Sequence, residues 1–294
     1  MPVVAESADP RRELRRAERR AFDLAVRRLA TALVHGLDPS PYHGSGIEYA
    51  QSRCYQPGDP VRAMDWRVTA RTARPHIKEY EALKRLPVWL LVDTSASMQL
   101  TSTGVAKIEL ALVLAGALGR SCQMRGSPVG LVSLGSRLVR AAPSTARERL
   151  LVALARLHDH ALSETTALVE RLDALPAMMR ERSLVVVLSD LHEPGAVDAL
   201  RRVHLRHDLV VLQLQDPAAL GLGGGFVRGE EAETQRRALF SLRRPWLAGA
   251  TAADPTHALR AAGIDHLLLR TDRPVVAPLI RFLTDRGGLL RRAR

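Results

Sequence analysis

The chain has 294 residues, of which 46% are hydrophobic and 25% charged, a balance typical of a globular protein with a sizeable core. Its formal net charge is +12, carried almost entirely by Arg, and it has two cysteines, too few for a disulfide framework. No run of about 18 apolar residues predicts a membrane span, and charges precede any apolar block at the N-terminus, so we expect a cytoplasmic protein.

The first segment, residues 1–43, is predicted to contain a basic amphipathic helix. Between residues 10 and 36, one stripe at helical spacing is apolar, and Arg and Glu occupy the other face; the stripe contains Leu14, Ala17, Ala21, Leu24, Leu29 and Leu33. Asp9 and Pro10 suit a helix start, and Gly36 suits a helix end. The interspersed glutamates favour ion pairs within the helix over binding to RNA or an anionic membrane.

The second segment, residues 44–86, is predicted to be β-rich. Its stretch MDWRVTARTARPHIKEYE, residues 64–81, has mixed charge and few runs suited to a helix. We expect the polar residues to pair in a network that fastens the segment to the rest of the chain, with Trp66 as its apolar anchor; a docking surface is the alternative. The residues concerned are Asp59, Arg62, Asp65, Trp66, Arg67, Arg71, Lys78 and Glu79.

The third segment, residues 87–294, alternates short apolar runs with helical patterns. The runs are 88–92, 129–134, 184–188, 209–214 and 266–269, and the helical patterns are 107–124, 146–157, 168–180, 196–206, 256–262 and 276–286. Strands that are apolar throughout and separated by helices indicate an α/β fold, a doubly wound and mostly parallel sheet covered on both faces. Residues 217–245 interrupt this rhythm and are predicted to form an insertion or a hairpin.

Polar side chains follow two of the predicted strands. VWLLVD ends at Asp93, LVVVLSD ends at Asp190, and Ser95 and Ser97 follow the first of these aspartates. Because the carboxyl ends of parallel strands meet at one edge of a sheet, we expect both carboxylates there. Thr165 and Thr166 precede a helix that lies between these strands in sequence.

These oxygen atoms form a set of ligands that suits a hard divalent cation. Magnesium takes six oxygens in near-octahedral geometry and readily keeps waters among them. Hydroxyls neutralise less of the charge of the ion than a cage of carboxylates would. The ion would therefore keep an open position and attract an acidic group, so that it joins two molecules and catalyses nothing.

The same residue types also occur in other kinds of site. Asp and Ser after a strand also serve as helix caps. A phosphotransferase of the Asp-x-Asp type needs a carboxylate at position 95, where this chain has Ser95. A serine-hydrolase elbow needs Gly-x-Ser-x-Gly, which is absent around Ser95 and Ser97. We therefore expect no enzyme.

Two motifs in tandem carry a resemblance to known families. DTSASM, with a downstream Thr and a strand-terminal Asp, resembles the metal-ion-dependent adhesion site of von Willebrand factor A domains. YQPGDPVRAMDWRVTARTARPHIKEYE resembles the hallmark segment of the bacterial domain of unknown function 58 family. The resemblance, from about residue 44 to the end, implies a von Willebrand A-like, Rossmann-like fold for residues 87–294.

The resemblance also implies a set of metal ligands and a partner. Ser95, Ser97 and Thr166 would coordinate Mg²⁺, or alternatively Mn²⁺ or Ca²⁺, directly, and Asp93 and Asp190 would hold it partly through water. Thr165 stays open in place of Thr166. The family implies a MoxR-type AAA+ ATPase as partner, in an adaptor or co-chaperone role in which the partner or its client offers an Asp or Glu to the metal. The alternative is a basic nucleic-acid-binding regulator, suggested by the net charge of +12.

Overall fold

The computed structural model describes residues 24–33, 47–82, 86–102, 104–158, 164–217, 226–230, 237–241 and 255–286. The chain divides into two compact units, the smaller one Asp38–Arg85 and the larger one Met1–Leu37 together with Leu86–Arg294. None of the helices in the described ranges combines the length and the apolarity that crossing a bilayer requires.

The first helix, α1, is described over residues 24–33 and belongs to the larger unit. Leu29, Ala30 and Leu33 are buried in the main core, whereas Leu24 is 48% exposed. The predicted stripe is therefore right at Leu29 and Leu33 and wrong at Leu24. The remainder of the helix predicted from residue 10 to residue 36 lies outside the described residues.

The smaller unit contains an antiparallel pair of strands and a short helix. Strand β1 (Ile47–Cys54) pairs with β2 (His76–Ala82), and helix α2 (Trp66–Thr72) lies between them in sequence. The prediction of extended structure is wrong over α2, where the Asp65 side chain accepts from the Val68 N–H at 3.2 Å and caps the helix. A local cap of this kind can start a short helix in a sequence with weak helical periodicity.

Two residues of the expected polar network, Asp59 and Asp65, are paired within this unit, with Arg53 and Ser52. The fastening of the segment to the rest of the chain stays a prediction. Arg53 and Asp59 form a two-bonded ion pair at 2.7 Å for both contacts, and the Ser52 hydroxyl donates to Asp65 at 2.6 Å. Arg53 and the Gln56 N–H together lower the pKa of Asp59 to about 2. Trp66, the first residue of α2, is 65% exposed, so the prediction of a buried apolar anchor is wrong.

The larger unit is built on a six-stranded sheet. The strands that follow β2 are β3 (Val88–Val92), β4 (Val129–Ser133), β5 (Arg140–Ser144), β6 (Leu184–Ser189), β7 (Asp208–Gln215), β8 (Phe226–Glu230), β9 (Arg237–Ser241) and β10 (Asp265–Arg270). The order across the sheet is β10-β7-β6-β3-β4-β5, and only the β4–β5 pair is antiparallel. This confirms the prediction of an α/β fold with a mostly parallel sheet.

Helices cover both faces of the sheet. The remaining helices are α3 (Lys107–Met124), α4 (Arg147–His158), α5 (Leu168–Met178), α6 (Ala196–His204), α7 (Pro255–Ala261) and α8 (Val276–Asp285). Successive residues of a strand point to opposite faces, so Leu90 joins a core with α1, α3, α4 and α8. Trp89 and Leu91 join a second core with α5, α6 and α7. Because helices bury both faces of the sheet, every residue of β3 is buried and apolar.

Strands outside the predicted apolar runs occur at one edge of the sheet and within residues 217–245, where an insertion or a hairpin is predicted. The edge strand β5 has the sequence RAAPS with exposed and half-buried residues, so it lacks the apolar run that marks the central strands. An edge strand tolerates Pro143 because its outer side has no neighbouring strand to bond. Within residues 217–245, β8 and β9 pair as an antiparallel ribbon apart from the main sheet.

Candidate functional site

The candidate site lies at the carboxyl ends of β3 and β6, which are neighbours in the middle of the sheet. Asp93 follows β3 directly, and its N–H donates to the Leu188 carbonyl of β6 at 2.9 Å. Asp190 follows β6 directly. The parallel pairing of the two strands therefore places both carboxylates at one rim of the sheet, and both residues are at least 95% buried, with exposures of 1% and 4%.

The Asp93 carboxylate is held at both oxygens. Its Oδ1 accepts the Ser95 N–H at 2.9 Å, and its Oδ2 accepts the Ser189 hydroxyl at 2.6 Å. Ser189 is the last residue of β6, so this bond ties the two strand ends together. The carboxylate cannot rotate without losing a donor, and its orientation toward the rim is set before any ligand binds.

Ser95 and Ser97 lie side by side in the loop after β3. Their hydroxyl oxygens are 3.0 Å apart, and the side chains are buried. Two adjacent ligands of an octahedral ion, each at 2.0–2.1 Å, lie about 3.0 Å from each other. The two hydroxyls are hydrogen-bonded to each other, and their spacing also matches that of two adjacent ligands of a magnesium-sized ion.

The segment 164–167 packs against the same loop. The Ala96 N–H donates to the Glu164 carbonyl at 2.8 Å, and the Thr94 hydroxyl donates to the Glu164 carboxylate at 2.8 Å. Thr166 forms an isolated antiparallel bridge with Gly135, just after β4. Thr166 is half-buried and Thr165 is exposed. The choice between them as a ligand stays a prediction.

Gly135 allows this close packing of loops. A methyl group at its Cα would collide with the Glu164 carboxylate and with the Thr94 hydroxyl. The backbone also passes close by, since the Ser136 N–H donates to the Thr165 carbonyl at 3.0 Å. The absence of a side chain at Gly135 therefore lets the 164–167 segment reach the loop after β3.

Asp190 is held differently, by two basic side chains. The Lys107 ammonium lies 2.6 Å from its Oδ2, and the His192 Nδ1 lies 2.9 Å from its Oδ1. The side chains of Lys107 and Asp190 are 3% and 2% exposed, and that of His192 is 30% exposed. Lys107 begins α3, so the start of this helix brings a buried positive charge to the rim.

The two aspartates differ in acidity. Burial, and then repulsion from the Asp190 charge, raise the pKa of Asp93 to about 6 despite its hydrogen bonds. Burial also acts to raise the pKa of Asp190, but the His192 hydrogen bond and the Lys107 charge outweigh it and hold the pKa below its ordinary value. Near neutral pH both are ionised, and Asp93 is the less well compensated of the two.

The loop after Asp190 has a strained backbone. Leu191 has φ +57°, in the left-handed region that favours glycine, and its side chain is 8% exposed within the second core. The Ser189 hydroxyl accepts the Leu191 N–H at 2.9 Å. Glu193 then accepts the Leu168 N–H at 2.7 Å and so caps α5, which joins this loop to the threonine segment.

The structure thus brings Asp93, Ser95 and Ser97 into one bonded group and places Asp190 beside it. Residues that the sequence reading did not assign to the site are Lys107, Ser189 and His192. Lys107 could have been noticed from the sequence, since lysine occurs only at positions 78, 84 and 107 of this Arg-rich chain. Ser189 carried a weaker signal as the neighbour of Asp190 at a strand end.

Throughout the described ranges, no group of three or more His, Cys, Asp or Glu side chains could hold a metal ion. The candidate site has two carboxylates, and its other oxygens are hydroxyls. Such a mixed oxygen set suits Mg²⁺, which keeps waters, better than it suits Zn²⁺, which prefers nitrogen and sulfur. Together with the 3.0 Å hydroxyl spacing, the donor chemistry fits magnesium.

Comparison with known proteins identifies the family. The family model described as protein of unknown function DUF58 matches residues 51–250. The chain belongs to the DUF58 family. The uncharacterized protein Rv1480 of Mycobacterium tuberculosis is 33% identical over 288 residues, covering 91% of this chain and 88% of its own, and the uncharacterized protein Mb1516 of Mycobacterium bovis matches equally. These relatives of the DUF58 chain carry no description of activity.

A solved structure resembles this DUF58 protein loosely. The conserved hypothetical protein BatB from Bacteroides thetaiotaomicron is 15% identical, with a TM-score of 0.45. The overlap covers 68% of the DUF58 chain and 98% of the BatB chain.

Proposed function

We propose that this DUF58 protein is a non-enzymatic module that binds partner proteins through a divalent metal ion, in a von Willebrand A-like domain with a metal-ion-dependent adhesion site. The observation that carries the proposal is the pair of buried hydroxyls, Ser95 and Ser97, held 3.0 Å apart beside Asp93. Two hydroxyls at that separation, next to a carboxylate whose orientation is already set, are suited to one octahedral cation.

The hydroxyls and the carboxylates of the site would have different roles toward the metal ion. Ser95, Ser97 and Thr166 would hold Mg²⁺, or Mn²⁺ or Ca²⁺ in its place, and Asp93 and Asp190 would supply the negative charge beside it. When bound, the ion supplies a positive centre with an open coordination position that attracts a carboxylate of a partner. Asp93 is pre-oriented for this role by Ser95 and Ser189.

The partner we propose is a protein that acts in assembly and that offers an acidic side chain to the metal. The family resemblance supports a MoxR-type AAA+ ATPase, or a client of that ATPase, which would offer an Asp or Glu side chain. The chain would then act as an adaptor or co-chaperone in the assembly or maturation of the client. Affinity purification at moderate salt, with EDTA or with excess Mg²⁺, tests the partner, and an interaction that survives both EDTA and Asp93→Ala contradicts the proposal.

Calorimetric titration of Mn²⁺ and Mg²⁺ into the purified protein tests the metal site itself. The Ser95→Ala/Ser97→Ala variant is expected to lose the binding heat. Ser183→Ala is the matched control, since Ser183 is also buried but lies at the opposite end of β6 and donates to the Glu181 carbonyl. Equal heats in all three proteins would remove the site assignment.

A second candidate function, binding to nucleic acid, is favoured by one groove. Arg140, Arg149 and Arg156 line a groove of about 300 Å³ between β5 and α4, together with Glu148 and apolar side chains. A phosphate backbone bound there would release counterions, so affinity would fall steeply with salt and ignore EDTA. Replacing the three arginines by glutamine would abolish such binding. A complex with DNA or RNA that is insensitive to these changes would argue against this groove.

A further inference from the structure

Lys107 is the buried positive charge of the candidate site. Of the Lys and Arg residues in the described ranges, Lys107 and Arg286 are the two whose accessible surface is almost entirely removed, at 2% and 6%. Arg286 faces Asp208 and Asp265, the first residues of β7 and β10, so it lies at the amino ends of these strands and not at the carboxyl ends where the candidate site is. Lys107 instead faces Asp190, one of the two carboxylates that the proposed metal site needs.

The charges at the rim can be counted. His192, 2.9 Å from Asp190, adds a positive charge only when its ring is protonated, and the Glu164 carboxylate bonds to the Thr94 hydroxyl and to none of the three central groups. Those three groups, the Asp93 and Asp190 carboxylates and the Lys107 ammonium, together carry one net negative charge. A divalent ion would turn this into one net positive charge, which burial makes unfavourable. One further carboxylate would bring the total to zero. Without the ammonium, the ion alone would already neutralise the two aspartates.

We infer that Lys107 makes metal binding at this rim depend on an acidic ligand, by leaving the metal-loaded site one positive charge in excess until a carboxylate of the partner arrives. The inference rests on the proposed metal-dependent function and deepens it. Lys107 is a positioning residue that acts through charge, since its ammonium contacts the Asp190 carboxylate at 2.6 Å. By linkage, the acidic ligand must strengthen metal binding by the same factor as metal strengthens ligand binding.

This arrangement would prevent metal from filling the site permanently. A site with two uncompensated carboxylates would bind the ion tightly with or without a partner. A site with a built-in ammonium binds it weakly alone and well in the complex. The specificity of the module for acidic groups would then come from Lys107 as much as from the ion.

The test compares Lys107→Gln with Lys107→Arg at pH 8, where Asp93 is ionised. Glutamine keeps a hydrogen-bond donor for Asp190 but removes the charge, and arginine keeps the charge. The probes are Mn²⁺ alone and Mn²⁺ with the peptide acetyl-Gly-Asp-Gly-amide. Electron paramagnetic resonance measures the concentration of Mn²⁺ that remains free in each titration. The same peptide with Asn in place of Asp controls for contacts other than the carboxylate.

Lys107→Gln is expected to bind Mn²⁺ alone about tenfold tighter than the unmodified protein, as removal of one nearby like charge predicts. The Asp peptide is expected to tighten Mn²⁺ binding by about tenfold in the unmodified protein and in Lys107→Arg, and by much less in Lys107→Gln. The Asn peptide should have no effect on any of them.

The outcomes separate the inference from the proposed function. If Mn²⁺ binds, and binding is lost in Ser95→Ala/Ser97→Ala, but Lys107→Gln behaves as the unmodified protein does, this inference is overturned and the metal site stands. If Mn²⁺ fails to bind with or without peptide, the proposed function itself is overturned. Should Lys107→Gln not fold, the unmodified protein decides, because equal Mn²⁺ affinity with the Asp and Asn peptides refutes the dependence on an acidic ligand.

Discussion

The hydroxyl of Ser189 donates to the Asp93 carboxylate at 2.6 Å, from the end of one strand to the end of its neighbour. The same hydroxyl accepts the Leu191 N–H at 2.9 Å. One serine thus orients the aspartate of the loop after β3 and shapes the loop after β6. The two strand ends that make up the candidate site are joined through this side chain.

Ser189→Ala is expected to destabilise the protein by about 1–3 kcal/mol at pH 8, since it leaves a buried carboxylate with one donor fewer. The cost should shrink at pH 5, where Asp93, whose pKa is raised to about 6, is largely protonated. Urea unfolding in EDTA at the two pH values measures this. A loss of stability that does not change with pH would show that Ser189 does not act through Asp93.

Asp93 should make the metal-free protein less stable as pH rises. Its folded pKa of about 6 lies above the ordinary 3.8, so its contribution is fully present below pH 3.8 and is lost as pH rises through 6. The loss is on the order of 3 kcal/mol. Asp93→Asn keeps an acceptor for Ser95 and cannot ionise. The difference in unfolding free energy between the two proteins, measured in EDTA from pH 4 to pH 8, should therefore move in favour of Asp93→Asn, and a constant difference contradicts this.

Asp190→Asn is expected to cost about 3–5 kcal/mol, because it leaves the Lys107 ammonium buried without its counter-charge. The double variant Asp190→Asn/Lys107→Met should recover part of that loss, which a double-mutant cycle in urea will show. Asp272→Asn is the surface control. Its ion pair with Arg270 is more exposed, with side chains 31% and 24% accessible, and is expected to contribute less than about 1 kcal/mol. Additive effects of the Asp190 and Lys107 changes would mean that the two residues do not interact.

The left-handed backbone of Leu191 makes an unusual comparison possible. Leu191→Gly is expected to be more stable than Leu191→Ala by about 1 kcal/mol, because glycine adopts φ +57° without strain. At Leu200, a buried residue within helix α6, the order should reverse, with alanine more stable than glycine by about 1 kcal/mol. Thermal unfolding of the four variants measures both differences, and the same order at both positions would contradict the strain at Leu191.

The elements of the larger unit agree closely with their sequence patterns. The apolar run 88–92 is strand β3, and the pattern 107–124 is helix α3, each with the predicted limits. Short runs in which every residue is apolar, separated by helical patterns, are typical of strands in a parallel sheet covered on both faces. The sequence pattern is a weaker guide at α2, whose start depends on the Asp65 cap. It is also weaker at the edge strand β5, whose residues are exposed or half-buried.

Within the candidate site, the positions of Asp93 and Asp190 after apolar strands could be predicted from the sequence, because a fully buried strand consists of consecutive apolar residues. The sequence also placed Ser95 and Ser97 beside Asp93, since a spacing of two is local. The fold was needed to show that β3 and β6 are neighbours and that Lys107, 83 positions before Asp190, faces its carboxylate. These contacts depend on the order of the strands in the sheet and on where a helix begins against it. Neither property can be read from the spacing of residues along the chain.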